Sequence, residues 1–142
     1  MIRIIAVGKC KEDYSRNAAA DYLSRIRRYS KIEVIEVKES DIEREGAKIY
    51  DLIDGKRYHV LDIYGKQLGS EDFAQFVKKE TFNSDFVFVI GGSEGISEDI
   101  KKNATNRLSI SQMTFTHEMC RVFILEQLYR AFMILNNKRY HK

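Results

Sequence analysis

Apolar residues in this 142-residue chain fall in short blocks separated by longer stretches of mixed polarity. The blocks IRIIAV (2–7), IEVIEV (32–37), RYHVLDI (57–63) and FVFVI (86–90) are rich in β-branched and aromatic residues and predict four strands. RLSI (107–110) predicts a short fifth. Residues 12–29 predict a helix with Tyr14, Ala18, Tyr22, Ile26 and Tyr29 near one face and Asp21–Arg25 as an i,i+4 pair. Residues 40–53 predict a second, with Ile42, Ile49, Leu52 and Ile53 on its buried side. YGKQLG (64–69) reads as a loop. Ser70 and Ser97 each precede two acidic residues and read as N-caps, the first opening a helix to about Lys79. The longest helix, 117–137, is apolar over most of its circumference, which predicts burial on several sides, one of them against a partner subunit. Strands alternating with helices predict an α/β fold, one domain over 1–142, with a mainly parallel sheet flanked by helices.

Composition narrows the class. At 44% hydrophobic the chain can bury a substantial core, and no apolar run approaches the roughly 18 residues of a membrane span. The start is charged too early for a secretory signal. Cys10 and Cys120 form no CxxC or His/Cys cluster, which disfavours a disulfide framework or a metal site and fits a reducing cytoplasm. Net charge is only +3, but residues 1–31 hold eight Lys/Arg and three Asp/Glu, while 32–54 hold three and eight. Such segregation either solvates two faces or steers a polyanion.

The chemistry concentrates in three segments. FVFVIGGSEGIS (86–97) runs a buried strand into a glycine loop. No Lys-Ser/Thr follows, so this is not a Walker loop, and the order Gly91, Gly92, Gly95 is not GxGxxG. Glu94 would repel a phosphate, so the loop suits a ligand of little negative charge lying against bare backbone; the alternative is a tight strand-to-helix turn. SISQMTFTHEMCR (109–121) is a loop of small and hydroxyl residues whose backbone can read an adenine edge or a ribose. His117 reads most simply as the first residue of a helix, and His59 as a strand residue. The basic end NNKRYHK is either a frayed terminus or a tail that closes over a site. In the second case Tyr140 stacks on a base, His141 moves a proton, and Arg139 and Lys142 pair with phosphates.

VIGGSEGIS, then LSISQMTFTHEMCRVFILEQLYRAFMILNN, then a terminal YHK, together with MIRIIAVGKCK, YLSRIRRY and LDIYGKQLGSEDFA, resemble the ribosomal RNA large-subunit methyltransferase H family of SPOUT (α/β-knot) methyltransferases over essentially the whole chain. The resemblance implies a C-terminal trefoil knot, an exception to the rule against threading. It implies a homodimer, S-adenosylmethionine as methyl donor, and methylation of N3 of a pseudouridine in helix 69 of 23S rRNA on the assembled 70S ribosome, in the cytoplasm. It assigns cofactor binding to Leu61, Gly91, Gly92, Ser111, Gln112, Met113, Thr114, Phe115 and Thr116. It assigns the active site to Tyr140, His141 and Lys142, completed across the dimer interface, with His141 the first candidate for general base. Arg25, Arg27 and Arg28 (with Lys31) and Arg139 are the candidate RNA contacts. The family commonly carries proline where this chain has Ser93, Thr116 and Arg139, which loosens those loops. Two other readings are a SPOUT enzyme acting on tRNA and a non-enzymatic α/β dimer.

Overall fold

A computed structural model describes residues 1–142. Five strands form one parallel sheet: β1 (Ile2–Val7), β2 (Ile32–Val37), β3 (Tyr58–Gln67), β4 (Phe86–Ile90) and β5 (Asn106–Ser109), in the spatial order β2-β1-β4-β3-β5. The helices are α1 (Asp13–Ile26), α2 (Ile42–Ile53), α3 (Ser70–Asn83), α4 (Glu98–Asn103) and α5 (His117–Leu135). None is long and apolar enough to cross a membrane.

The central strands β1 and β4 are apolar but for Arg3, because both sheet faces are covered there. Along β1, Ile2, Ile4 and Ala6 join one cluster with α1, α3 and α5, while Ile5 and Val7 join another with α2 and α4. β4 divides likewise: Phe86, Phe88 and Ile90 point one way, Val87 and Val89 the other. This is the period of two that a strand imposes. Register aligns Ile4 with Val34 and with Phe88, so β1 and β4 form the buried centre.

The structure departs from the expected elements at three places. The first is β3, which continues through Gln67, where a loop is predicted. Leu108 of β5 pairs with both Leu61 and Lys66, so the 61–67 segment bulges and returns to the same neighbour. Gly65 permits this, because a Cβ there would lie 2.7 Å from the backbone of Arg107. The second is Ser70, which is not an N-cap. Gly69 occupies that position, and the Ser70 hydroxyl donates to Gln127 Oε1 at 2.8 Å. Ser97 does cap α4, accepting from the Ile100 amide. The third is α1, whose buried positions are Ser15, Ala19 and Ile26, with Tyr14 left in solvent. Asp41 caps α2 by accepting from the Arg44 amide, and Asp54 closes it in the left-handed region.

Candidate functional site

Ligands of open α/β sheets bind beyond the carboxyl ends of the strands. There the ends of β3, β4 and β5 open into a cleft of about 750 Å³. Leu61, Gly91, Gly92, Ser111, Met113, Thr114, Phe115 and Thr116 all line it. Gln112 does not; it is exposed beside them.

The glycine loop is built by its own turn. Gly95 has φ +86° and its amide donates to the Gly92 carbonyl at 3.0 Å. A Cβ on Gly91 would lie 2.7 Å from the Gly95 carbonyl, and one on Gly92 would lie 2.9 Å from Val7 Cγ1. Gly91 is therefore needed first to close the loop on itself, and Gly92 to pack it onto β1. Their backbone then forms part of the cleft wall. Glu94 is exposed and does not line the cleft.

The opposite wall is the segment before α5. The Ser111 hydroxyl accepts from the Met113 amide at 3.0 Å, Phe115 packs edge-on to Phe123, and Thr116 caps α5 by accepting from the Met119 amide. Thr116 thus supplies a cap that a proline there cannot. One cation lines the cleft, Lys101, and Glu98 holds it at 3.0 Å. Two carboxylates line it, Asp62 and Glu118. The Ser15 hydroxyl and the Glu12 amide hold the Glu118 carboxyl below its usual range. Hydroxyls, bare backbone, apolar side chains and net negative charge fit a phosphate-free, cationic nucleoside such as S-adenosylmethionine and oppose a nucleotide. Burial raises the Cys120 thiol, so it is no ready nucleophile. No group of three or more His, Cys, Asp or Glu is arranged to hold a metal ion.

Beneath the cleft, Arg121 is buried. Its Nη1 donates to Glu36 Oε2 at 2.6 Å and its Nη2 to the Gly8 carbonyl at 2.8 Å, tying α5 to the ends of β1 and β2. His117, one turn earlier, lies 3.9 Å from Glu39 and lines the cleft. Their i,i+4 spacing was the available signal. Only the fold shows that both meet the turns after β1 and β2.

The terminal residues sit elsewhere. Glu126 Oε1 accepts from Arg130 Nε at 2.9 Å, from Arg130 Nη2 at 2.5 Å and from the Tyr140 hydroxyl at 3.1 Å. Arg130 Nη1 lies 3.1 Å from His141 Nδ1, and its guanidinium stands 4.8 Å over the Tyr140 ring. Tyr140 also packs edge-on to Tyr129, and Arg25 stands 5.5 Å over the Tyr129 ring. Burial, then the Tyr22 and Glu126 contacts, push the Tyr140 phenol far above its usual range, so it stays a donor. Arg27, Arg28, Arg139 and Lys142 are exposed. No tail residue lines the cleft. By spacing, Glu126 and Arg130 are one more i,i+4 pair; their role as the tail's seat shows only once α1, α3 and α5 are packed.

A five-stranded parallel sheet with this glycine loop and α5 wall defines a class, and the chain belongs to it: the family described as predicted SPOUT methyltransferase matches residues 1–141. Its fold is shared at low identity with a probable methylase family protein from Haemophilus influenzae (TM-score 0.59, 13% identity, 99% of this chain and 70% of that one). A tRNA modifying enzyme from A. aeolicus shares it too (TM-score 0.50, 12% identity, 95% and 77%). Within the class, the chain is 42% identical to a ribosomal RNA large subunit methyltransferase H from Caldicellulosiruptor saccharolyticus over all of both chains. It is also 42% identical to one from Coprothermobacter proteolyticus over 99% of each. The protein is a methyltransferase of that family.

Proposed function

We propose that the protein methylates N3 of a pseudouridine in helix 69 of 23S rRNA, with S-adenosylmethionine as donor, on the assembled 70S ribosome in the cytoplasm. The carrying observation is the full-length likeness to relatives named ribosomal RNA large subunit methyltransferase H. A cleft chemically suited to a phosphate-free cation supports it.

When bound, the donor supplies an activated methyl group on a sulfonium. The chain's own task is placement, since holding nucleophile, methyl and leaving sulfur in line removes much of the barrier. Leu61, Gly91, Gly92 and the segment Ser111–Thr116 (Gln112 at its rim) hold the donor. Tyr140 orients the target base, and Lys142 and Arg139 face its charge or its phosphates. Arg25, which stands over the Tyr129 ring that packs on Tyr140, and the exposed Arg27 and Arg28 that follow it contact the rRNA. The C-terminal trefoil knot belongs to this reading.

On this reading the site is built from two chains. Cys120 lines the cleft, whereas Glu126 and Arg130 seat the tail. At 1.5 Å per residue, these positions are roughly 9 and 15 Å apart along α5. A homodimer that sets one protomer's tail against its partner's cleft joins the two halves. The test mixes a chain lacking residues 140–142 with a cleft variant, Gly92→Arg. Random exchange makes half the dimers mixed, each with one intact site, so about a quarter of wild-type activity returns. No recovery on mixing would place both halves in one chain.

A further inference from the structure

We propose that Arg130 is a positioning residue that fixes the tautomer of His141, and that His141 acts as an N–H donor through Nε2 rather than as the base that removes the N3 proton. The role assigned to the ring rests on the reaction proposed above; the tautomer does not.

A guanidinium has five N–H donors and no acceptor. With Arg130 Nη1 3.1 Å from His141 Nδ1, that ring nitrogen must be the acceptor. The bond needs a neutral ring, because an imidazolium would set donor against donor. The ring proton is then on Nε2, the nitrogen that faces the Glu71 carboxylate of α3 at 3.7 Å. Groups facing the ring are thus Arg130 from α5 and Glu71 from α3.

Arg130 cannot readily give up this bond. Nε and Nη2 both donate to Glu126 Oε1, and the guanidinium plane covers Tyr140. Glu126 is fixed in turn, its Oε2 accepting from Gln127 at 3.0 Å. A planar fork held at one edge presents its remaining N–H in one direction, which a lysine ammonium cannot reproduce. The lone pair on Nδ1 is therefore occupied, and Nε2 carries a hydrogen. The ring has no free site for a proton.

It has a donor instead. Glu71 is exposed at 81% of its side chain and can yield its place to a ligand. As N3 of the pseudouridine loses its proton to solvent, negative charge spreads onto the two flanking carbonyl oxygens. An Nε2–H whose direction is fixed before the base binds stabilises that charge without reorganisation once Glu71 gives way to one of those oxygens.

Two measurements test this on the full-length protein. The first is ¹⁵N NMR of the imidazoles at a pH about two units above the usual histidine value, with His141 assigned by the signal that disappears in His141→Ala. Nδ1 should read as a hydrogen-bonded acceptor and Nε2 as protonated, and Arg130→Met should shift the Nδ1 signal. A proton on Nδ1, or no shift in Arg130→Met, overturns the assignment without reference to any substrate. The second compares methylation rates. His141→Gln keeps a terminal N–H donor but no base. It should hold within about tenfold of wild type, while His141→Ala falls by roughly 10²- to 10³-fold, as when an oxyanion donor is removed. Arg130→Lys should lose activity like Arg130→Met. Equal, large losses in His141→Gln and His141→Ala overturn the donor role.

Discussion

Replacing Arg121 by Met tests whether the first turns of α5 hold the cleft together. Met keeps most of the aliphatic packing and removes only the guanidinium. Two bonds go: Nη1 to Glu36 at 2.6 Å and Nη2 to the Gly8 carbonyl at 2.8 Å. A hydrogen bond to a charged group contributes about 1.5–3 kcal/mol. The Glu36 side chain is 39% exposed and can rehydrate, so its share falls near the bottom of that range. Arg121 Nε already lacks a partner, a cost that the substitution relieves. The net loss is about 3 kcal/mol, or roughly 10 °C in melting temperature for a chain of this size. Urea unfolding at fixed protein concentration reads it directly, with the slope unchanged. A double-mutant cycle with Glu36→Gln should show coupling of about 1 kcal/mol or more. A loss under about 1 kcal/mol, or strict additivity, would refute the tie.

Three further outcomes follow from named residues. His59 is fully buried, and burial, more than the opposing Glu80, lowers its affinity for a proton, with Arg57 adding to the lowering. Its folded value lies below its unfolded one, so its contribution is complete above about pH 6.5 and is lost as pH falls below that. Urea midpoints should drop from pH 7.5 to pH 5, and His59→Gln should flatten the drop; a rise on acidification would contradict the sign. Gly91→Ala forces a Cβ onto the Gly95 carbonyl and should cost about 1–3 kcal/mol while weakening S-adenosylmethionine at least tenfold in calorimetry; wild-type affinity would mean the turn tolerates the side chain. Reversing Arg27 and Arg28 to Glu should weaken ribosome association and flatten its salt dependence by roughly one unit of slope for each phosphate no longer neutralised; unchanged binding would remove that segment from the RNA surface.

The centre of the sheet was legible because β1 and β4 are buried on both faces, so their apolar residues stand in runs broken only by Arg3. The cleft was legible for a related reason: its walls are contiguous segments that follow strand ends. What escaped depends on distant partners. The end of β3 exists because Lys66 and Gln67 pair with Leu108 and Ser109 some forty residues later. Ser70 has the sequence of a cap, but Gln127 takes its hydroxyl. Tyr14 fits an apolar stripe by spacing, yet the helix rotates Ser15 inward, where Glu118 accepts its hydroxyl. The tail residues were legible as a cluster of reactive types. Their seat on Glu126 and Arg130, and the direction of the His141 bond, belong to the packing of three helices.

The methylated nucleotide itself separates an rRNA enzyme from a tRNA enzyme and from a non-enzymatic dimer. The direct measurement is transfer of labelled methyl from S-adenosylmethionine to intact 70S ribosomes, separated subunits, naked rRNA and free tRNA, with the modified base identified by mass spectrometry. Label is expected on 70S particles, at N3 of a single pseudouridine in helix 69, with little on the other three. Label on tRNA, on another base, or on none of the four would contradict that expectation.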